Sequence, residues 1–283
     1  MSKAATFDVD PSNSRQLRDW DGEHGNYWAE YADFYDRSPA GYHPALLAAA
    51  DAGPADRILD VGCGSGRLAI DLVRGAPGAR ALGVDLSTAQ LNVARRRAAG
   101  LAVEFIQADA QVHDFGAAAY DLMVSRTGTM FFGDAEAAFA NLATATKPGG
   151  RLAILVWRGL AENEWLREIF EALRLGRDLP MPPPGAPGPF AQSDPAMVEP
   201  LLAAAGWSDV AFEALDHSLW LGPDADQGTR WQLGQSAWLL AGTDDAQRAT
   251  AAANLRALFA AHQTPDGVRL SSAAWLVTAR RAD

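Results

Sequence analysis

The chain has 283 residues, 48% of them apolar, and a formal net charge of −11 from 35 acidic and 24 basic side chains. A substantial core is therefore available, and the acidic balance argues against a nucleic-acid backbone as partner. The single cysteine, Cys63, excludes an intrachain disulfide and a cysteine-based metal site, and no charge-free apolar run is long enough for a membrane span.

Residues 1–19 are polar, with Pro11, Ser12, Asn13 and Ser14, and read as loosely attached. They contain no hydrophobic signal core, so the expected compartment is the cytoplasm. Residues 26–52 predict one or two helices. The segment 20–35 holds Trp20, Tyr27, Trp28, Tyr31 and Tyr35, with Trp28, Tyr31 and Tyr35 on one helix face, and reads as a lid. A regular alternation follows, with strands at 57–61, 79–84, 102–107, 119–124 and 150–157 and helices at about 66–74, 87–99 and 133–146. Lys147-Pro148-Gly149-Gly150 reads as a turn. Strands and helices alternating in this way predict an α/β fold with a doubly wound, mostly parallel sheet.

After Trp157 the rhythm breaks. Residues 163–175 form an amphipathic helix pattern, and a proline-rich stretch from Leu179 to Phe190 reads as stiff, extended backbone. Asp194 and Pro195 open a helix that Gly206 ends. A strand at 209–221, helices at about 225–241 and 244–262, and a last strand at 272–280 complete the chain. We divide it into an N-terminal segment and lid (1–52), an α/β core (53–157) and the rest of the sheet (158–283), all one domain. Segments 158–192 and 225–265 are insertions expected above the carboxyl ends of the strands, where open α/β sheets bind ligands.

The most informative run is Ile58-Leu59-Asp60-Val61-Gly62-Cys63-Gly64-Ser65-Gly66, an apolar strand entering three alternate glycines ahead of a helix. Such glycines allow a sharp turn and let a ligand lie against main-chain atoms beside the free N–H groups of the helix start. Asp85 ends the next strand, so a nucleotide-like ligand would have glycines under one end and a carboxylate at the ribose hydroxyls. A dinucleotide fingerprint needs G-x-G-x-x-G/A, whereas here position 67 is arginine. Asp60, two places before Gly62, would repel a pyrophosphate and suits an ammonium group.

These residues resemble the first motif of class I S-adenosylmethionine (SAM)-dependent methyltransferases, of the small-molecule type, over residues 56–157. The resemblance implies a seven-stranded Rossmann-like sheet with helical lid and cap insertions, and SAM as cofactor with S-adenosylhomocysteine as product. It places Asp60, Gly62, Gly64 and Gly66 at the methionine portion, Asp85 at the ribose and Leu86 against the adenine. Gln90 departs from the methionine common there. It places Asp109 and Ala110 at the adenine edge and Ser125 at the strand-four end that faces the methyl group; Trp28, Tyr31 and Tyr35 of the lid either pack on the sheet or wall the cofactor and substrate. Helix capping for Asp85 and turn capping for Asp109 are the plainer alternatives.

Arg126, between an apolar strand and Met130-Phe131-Phe132, needs a carboxylate partner, either an anionic substrate or an acid of the lid. His24, Tyr27 and Tyr31 are the candidate bases, because the lid brings them over the site. The histidines (His24, His43, His113, His217, His262) show no metal-binding spacing. Ser125-Arg126-Thr127-Gly128 lacks the asparagine-proline-proline-aromatic signature of DNA amino-methylating enzymes.

The sequence therefore predicts methyl transfer to a small organic acceptor, apolar or aromatic, by direct displacement at the sulfonium. It predicts no nucleic-acid partner, no membrane and no metal, in a monomer or homodimer. A SAM-binding protein without transfer, a protein or RNA methyltransferase, and a nicotinamide-dependent oxidoreductase are the alternatives. The last lacks a third glycine or alanine at Arg67 and a tyrosine–lysine pair, Lys147 being the sole lysine after Lys3.

Overall fold

The computed structural model describes residues 7–178, 183 and 185–283. Helices α1 (Ser14–Trp20), α2 (Glu23–Glu30), α3 (Ala32–Arg37) and α4 (His43–Ala50) precede the sheet. The alternating unit runs β1 (Arg57–Val61), α5 (Arg67–Gly75), β2 (Arg80–Asp85), α6 (Thr88–Arg97), β3 (Val103–Gln107), β4 (Tyr120–Arg126), α7 (Ala135–Ala145) and β5 (Thr146–Trp157). Then come α8 (Glu164–Arg174), α9 (Pro195–Ala204), β6 (Trp207–Trp220), α10 (Ala225–Gln235), α11 (Asp245–Ala261), β7 (Gln263–Thr264) and β8 (Gly267–Arg281).

The sheet order is β3-β2-β1-β4-β5-β8-β6, with β7 paired to β8. Strands β1 to β5 pair in parallel, and β8 enters antiparallel between β5 and β6. The central strands are apolar on both sides because both faces are covered. On β1, Ile58 belongs to the core that also holds Leu46, Leu91 and Phe259, while Leu59 belongs to the core with Phe139, Leu142 and Leu202. Leu122 and Met123 on β4 divide the same way, as the two-residue period of a strand requires.

Three local readings need correction. Residues 10–13 are not loose: Asp10 caps the 3₁₀ turn Pro11–Asn13, and Asn13 is 3% exposed. Polar residues that suggest solvent in the sequence here satisfy a buried carboxylate some hundred residues later. Residues 146–150 are not a free turn, since β5 starts at Thr146, opposite Tyr120, with an irregularity before Leu122 pairs with Arg151. Gly149 supplies the positive φ, 71°, that this irregularity needs. In the proline-rich stretch, 179–182 and 184 lie outside the described residues. The described part turns rather than extends, and Gly188 N–H donates to the Met130 carbonyl at 3.0 Å.

Candidate active site

The site is built where β1 and β4 end side by side. After Val61 the chain turns through Gly62, Gly64 and Gly66, all with positive φ. Two of these positions show why a side chain is excluded. A Cβ on Gly62 would lie 2.9 Å from the Cα of Gly128 on the β4 turn, and one on Gly66 would lie 2.7 Å from the Phe105 ring. The two turns thus touch backbone to backbone. Ser125 fastens them: its hydroxyl donates to the Val61 carbonyl at 2.7 Å and accepts from Gly128 N–H at 3.2 Å. Thr127, in the same turn, holds the left-handed conformation at φ 60°, a strained state for a β-branched residue.

A cavity of about 250 Å³ opens at this junction. Its turn side is lined by Asp60, Gly62, Gly64, Asp85, Leu86 and Gln90, with Asp109 and Ala110 beyond. Its far side is lined by Trp28 and Tyr35 from the lid, Trp157 at the end of β5, Trp165 on α8 and Trp231 from α10.

Asp60 is 1% exposed and accepts from Ala69 N–H through Oδ2 at 3.1 Å, while Oδ1 has no partner. Burial pushes its carboxyl up to about 7, against the pull of the Ala69 N–H and the Arg126 guanidinium. A buried carboxylate with one free oxygen is a seat for a cation. Asp85 accepts from Gly64 N–H and Ser87 N–H, each at 2.8 Å, and so ties the glycine turn to the start of α6. Burial raises its pKa, opposed by these main-chain donors. The Ser87 hydroxyl, not Asp85, caps α6. Gln90 is buried with its Oε1 over Gly64, where methionine is common in the resembling family.

Asp109 carries more partners than a turn cap. It accepts from Gln111 N–H at 3.0 Å, Asn13 Nδ2 at 2.7 Å and Asp10 N–H at 3.0 Å. The N-terminal strap is thereby held across this end of the cavity, and Asn13 and Gln16 line it.

Of the two partners open to Arg126, the structure supplies the acid of the lid. Arg126 Nη2 lies 2.6 Å from Asp36 Oδ1, and Arg97 Nη1 lies 2.8 Å from Asp36 Oδ2. Asp36 is the hub of this latch, joining α3 to α6 and β4, and sequence reasoning missed it. Its spacing of one residue from Tyr35, on the lid's aromatic face, was the available signal.

The structure does not bring every sequence candidate to the cavity. His24, Tyr27, Tyr31 and Ser125 are absent from its lining, whereas Trp28, Asp60, Gly62, Gly64, Asp85, Leu86, Asp109, Ala110 and Arg126 are present. Gly66 sits just behind, as the residue preceding α5. His24 packs edge-on to Trp20 at 4.9 Å, and burial lowers its pKa. The Tyr27 hydroxyl donates to the Trp231 carbonyl at 2.6 Å, and burial raises its pKa further. Tyr31 packs on Tyr27, with ring centroids 4.6 Å apart. Among the described residues, no group of three His, Cys, Asp or Glu side chains is placed to hold a metal, and no helix is long and apolar enough to cross a membrane.

Residues 58–150 match a family model described as "Methyltransferase domain". An uncharacterized protein of Mycobacterium tuberculosis is 34% identical over 138 residues, 47% of this chain and 50% of that one. The demethylmenaquinone methyltransferase of Thermus thermophilus is 42% identical over 101 residues, 35% of this chain and 46% of that one. The chain thus spans about half the length of the curated relatives it matches. Among solved structures, phosphoethanolamine N-methyltransferase 2 of Haemonchus contortus, in complex with SAM, superposes with a TM-score of 0.59 at 18% identity, covering 97% of this chain and 61% of that one. That likeness is one of fold.

Proposed function

We propose that this chain, whose core is a class I SAM-dependent methyltransferase domain, is an enzyme that transfers a methyl group to a small, largely apolar acceptor under the aromatic lid. One observation carries the reading: a single cavity runs from the glycine turn and the free oxygen of Asp60 to a chamber walled by Trp28, Tyr35, Trp157, Trp165 and Trp231. The residues fit SAM. Asp60 Oδ1 takes the ammonium, the remaining lone pairs of Asp85 take the ribose hydroxyls, and Leu86, Asp109 and Ala110 border the adenine. When bound, SAM supplies a methyl group on a sulfonium, an already activated leaving group.

The protein's own contribution is alignment and exclusion of water. The latch through Asp36 holds α3 closed over the chamber, and the Asn13 strap closes the adenine end. Arg126 is a positioning residue, engaged with the lid rather than with substrate. No base is assigned. Calorimetry with S-adenosylhomocysteine and NAD tests the cofactor, with affinity of about −8 kcal/mol expected for the first and none for the second. Transfer of labelled methyl from SAM into small molecules of a cell extract tests the activity. A silent S-adenosylhomocysteine titration beside clear NAD binding defeats the proposal.

Two further outcomes follow from the geometry. His24→Phe should keep turnover within about threefold, since a general base is worth about 10²-fold or more. A loss of that larger size would reinstate His24 as the base.

The second concerns pH. The folded protein holds Asp60 protonated up to about pH 7, whereas the unfolded chain releases the proton near 3.8. The stability this contributes is complete below pH 3.8 and lost as pH rises through about 7. An ammonium beside Asp60 favours the carboxylate, so S-adenosylhomocysteine affinity should climb about tenfold from pH 6 to pH 8, with proton uptake by buffer on binding below about pH 7. A flat profile in calorimetry over that range would place the ammonium elsewhere.

A further inference from the structure

The lid end of the cavity holds more polarity than its aromatic walls suggest. Tyr35 stacks on Trp28 with centroids 3.5 Å apart and meets Trp231 edge-on at 5.2 Å. Along this contiguous wall four polar atoms are shielded from water and have no partner: Trp28 Nε1, Tyr35 Oη, Trp231 Nε1 and Gln235 Oε1. Their residues all line the cavity, and Trp231 and Gln235 stand one turn apart on α10. Buried polar atoms without partners are rare and costly, so their clustering on one wall points to a polar ligand group there.

Their chemistry defines that ligand. An indole N–H only donates, an amide oxygen only accepts, and a phenol does either. Burial raises the Tyr35 pKa and keeps its proton on, so the phenol can donate. A hydroxyl group accepts twice and donates once, which matches the Tyr35 and Trp231 donors, edge-on to one another, and the Gln235 acceptor one turn along α10.

Charge narrows the choice further. The charged side chains lining the cavity, among the described residues, are Asp36, Asp60, Asp85, Asp109 and Arg126. Arg126, the single cation, is already paired with Asp36. An anion entering the chamber would meet net negative charge and no free cation.

We propose that the acceptor is an uncharged aromatic ring bearing a hydroxyl group, which binds between α3 and α10 with its oxygen toward Tyr35 and Trp231 and its O–H toward Gln235. This rests on the methyltransferase reading and specifies its substrate class. The flat wall selects the ring, the unpaired atoms select the hydroxyl, and the acids exclude carboxylates and phosphates.

The test uses three probes on the full chain saturated with S-adenosylhomocysteine: 2-naphthol, naphthalene and 2-naphthoate, followed by equilibrium dialysis. 2-Naphthol should bind about tenfold more tightly than either of the others. Tyr35→Phe and Trp231→Phe should each weaken 2-naphthol about fivefold while leaving naphthalene within about twofold, and retained S-adenosylhomocysteine affinity shows that each variant is folded. Naphthoate binding as tightly as naphthol overturns the proposal, as does an equal loss of naphthol and naphthalene in the variants, which would mark the two residues as packing only. If the unaltered chain fails to bind S-adenosylhomocysteine, the transferase reading falls instead; the naphthol and naphthalene ratio without it still decides the chamber's preference.

Discussion

Asp85→Ala should lower S-adenosylhomocysteine affinity by about 10²-fold or more, roughly 3 kcal/mol, the largest loss expected from any single side chain of the site. Two effects add. In the proposed binding mode the ribose hydroxyls lose a charged acceptor. The Gly64 and Ser87 N–H groups, each 2.8 Å from the carboxylate, lose theirs, and the glycine turn comes away from the start of α6. The second effect also costs stability, about 1–3 kcal/mol for unsatisfied buried donors, so the melting temperature should fall with the affinity. Asp85→Asn separates the two contributions, because an amide oxygen still accepts one main-chain bond but carries no charge. Calorimetry should find it intermediate. A lowered melting temperature with an unchanged dissociation constant would make Asp85 a turn clamp and nothing more.

Removing the hub of the lid latch should have the next largest effect. Asp36→Ala leaves Arg126 without its acid and Arg97 with only the solvent-exposed Asp33, and both arginines are partly withdrawn from water. Loss of one member of a largely buried ion pair costs about 3 kcal/mol, here released when α3 swings away. Amides of residues 23–37 should then exchange with solvent about 10²-fold faster, while the sheet stays protected. Methyl transfer should fall in parallel, because Tyr35 leaves with α3, Trp28 on α2 loses the ring stacked on it, and water reaches the site. The conservative change Asp36→Glu should recover part of the protection. Exchange in 23–37 that is identical in Asp36→Ala and the parent would show that aromatic packing, not the latch, closes the lid.

Much of this site could be read from residues close together in the chain. The apolar run ending in Asp60, the glycines at 62, 64 and 66, and the acid closing β2 are local facts. Backbone sterics turn such a run into a strand, a tight turn and a helix start wherever it occurs. The alternation of periods two and 3.6 likewise foretold the parallel sheet, and the expected limits hold to within a few residues apart from β5, α10 and β8. The Asp194 cap and Pro195 start of α9 are where capping chemistry puts them.

Partnerships between distant residues were not legible in this way. Arg126 announced a need for a carboxylate, yet Asp36 stands 90 positions earlier in the chain. Asp109 read as an adenine acceptor or a turn cap, and the fold also gives it Asp10 and Asn13 from a stretch whose composition suggests solvent. The lid aromatics share a helix face in the periodicity, but α2 ends at Glu30 and α3 starts at Ala32. Across that break Trp28 and Tyr35 line the cavity, while Tyr31 packs on Tyr27, whose hydroxyl reaches the Trp231 carbonyl of α10. Local propensity acts over a few residues and is carried by the chain itself. Which buried charge meets which, and which way an aromatic faces, depends on packing and desolvation summed over elements that become neighbours only when the sheet closes.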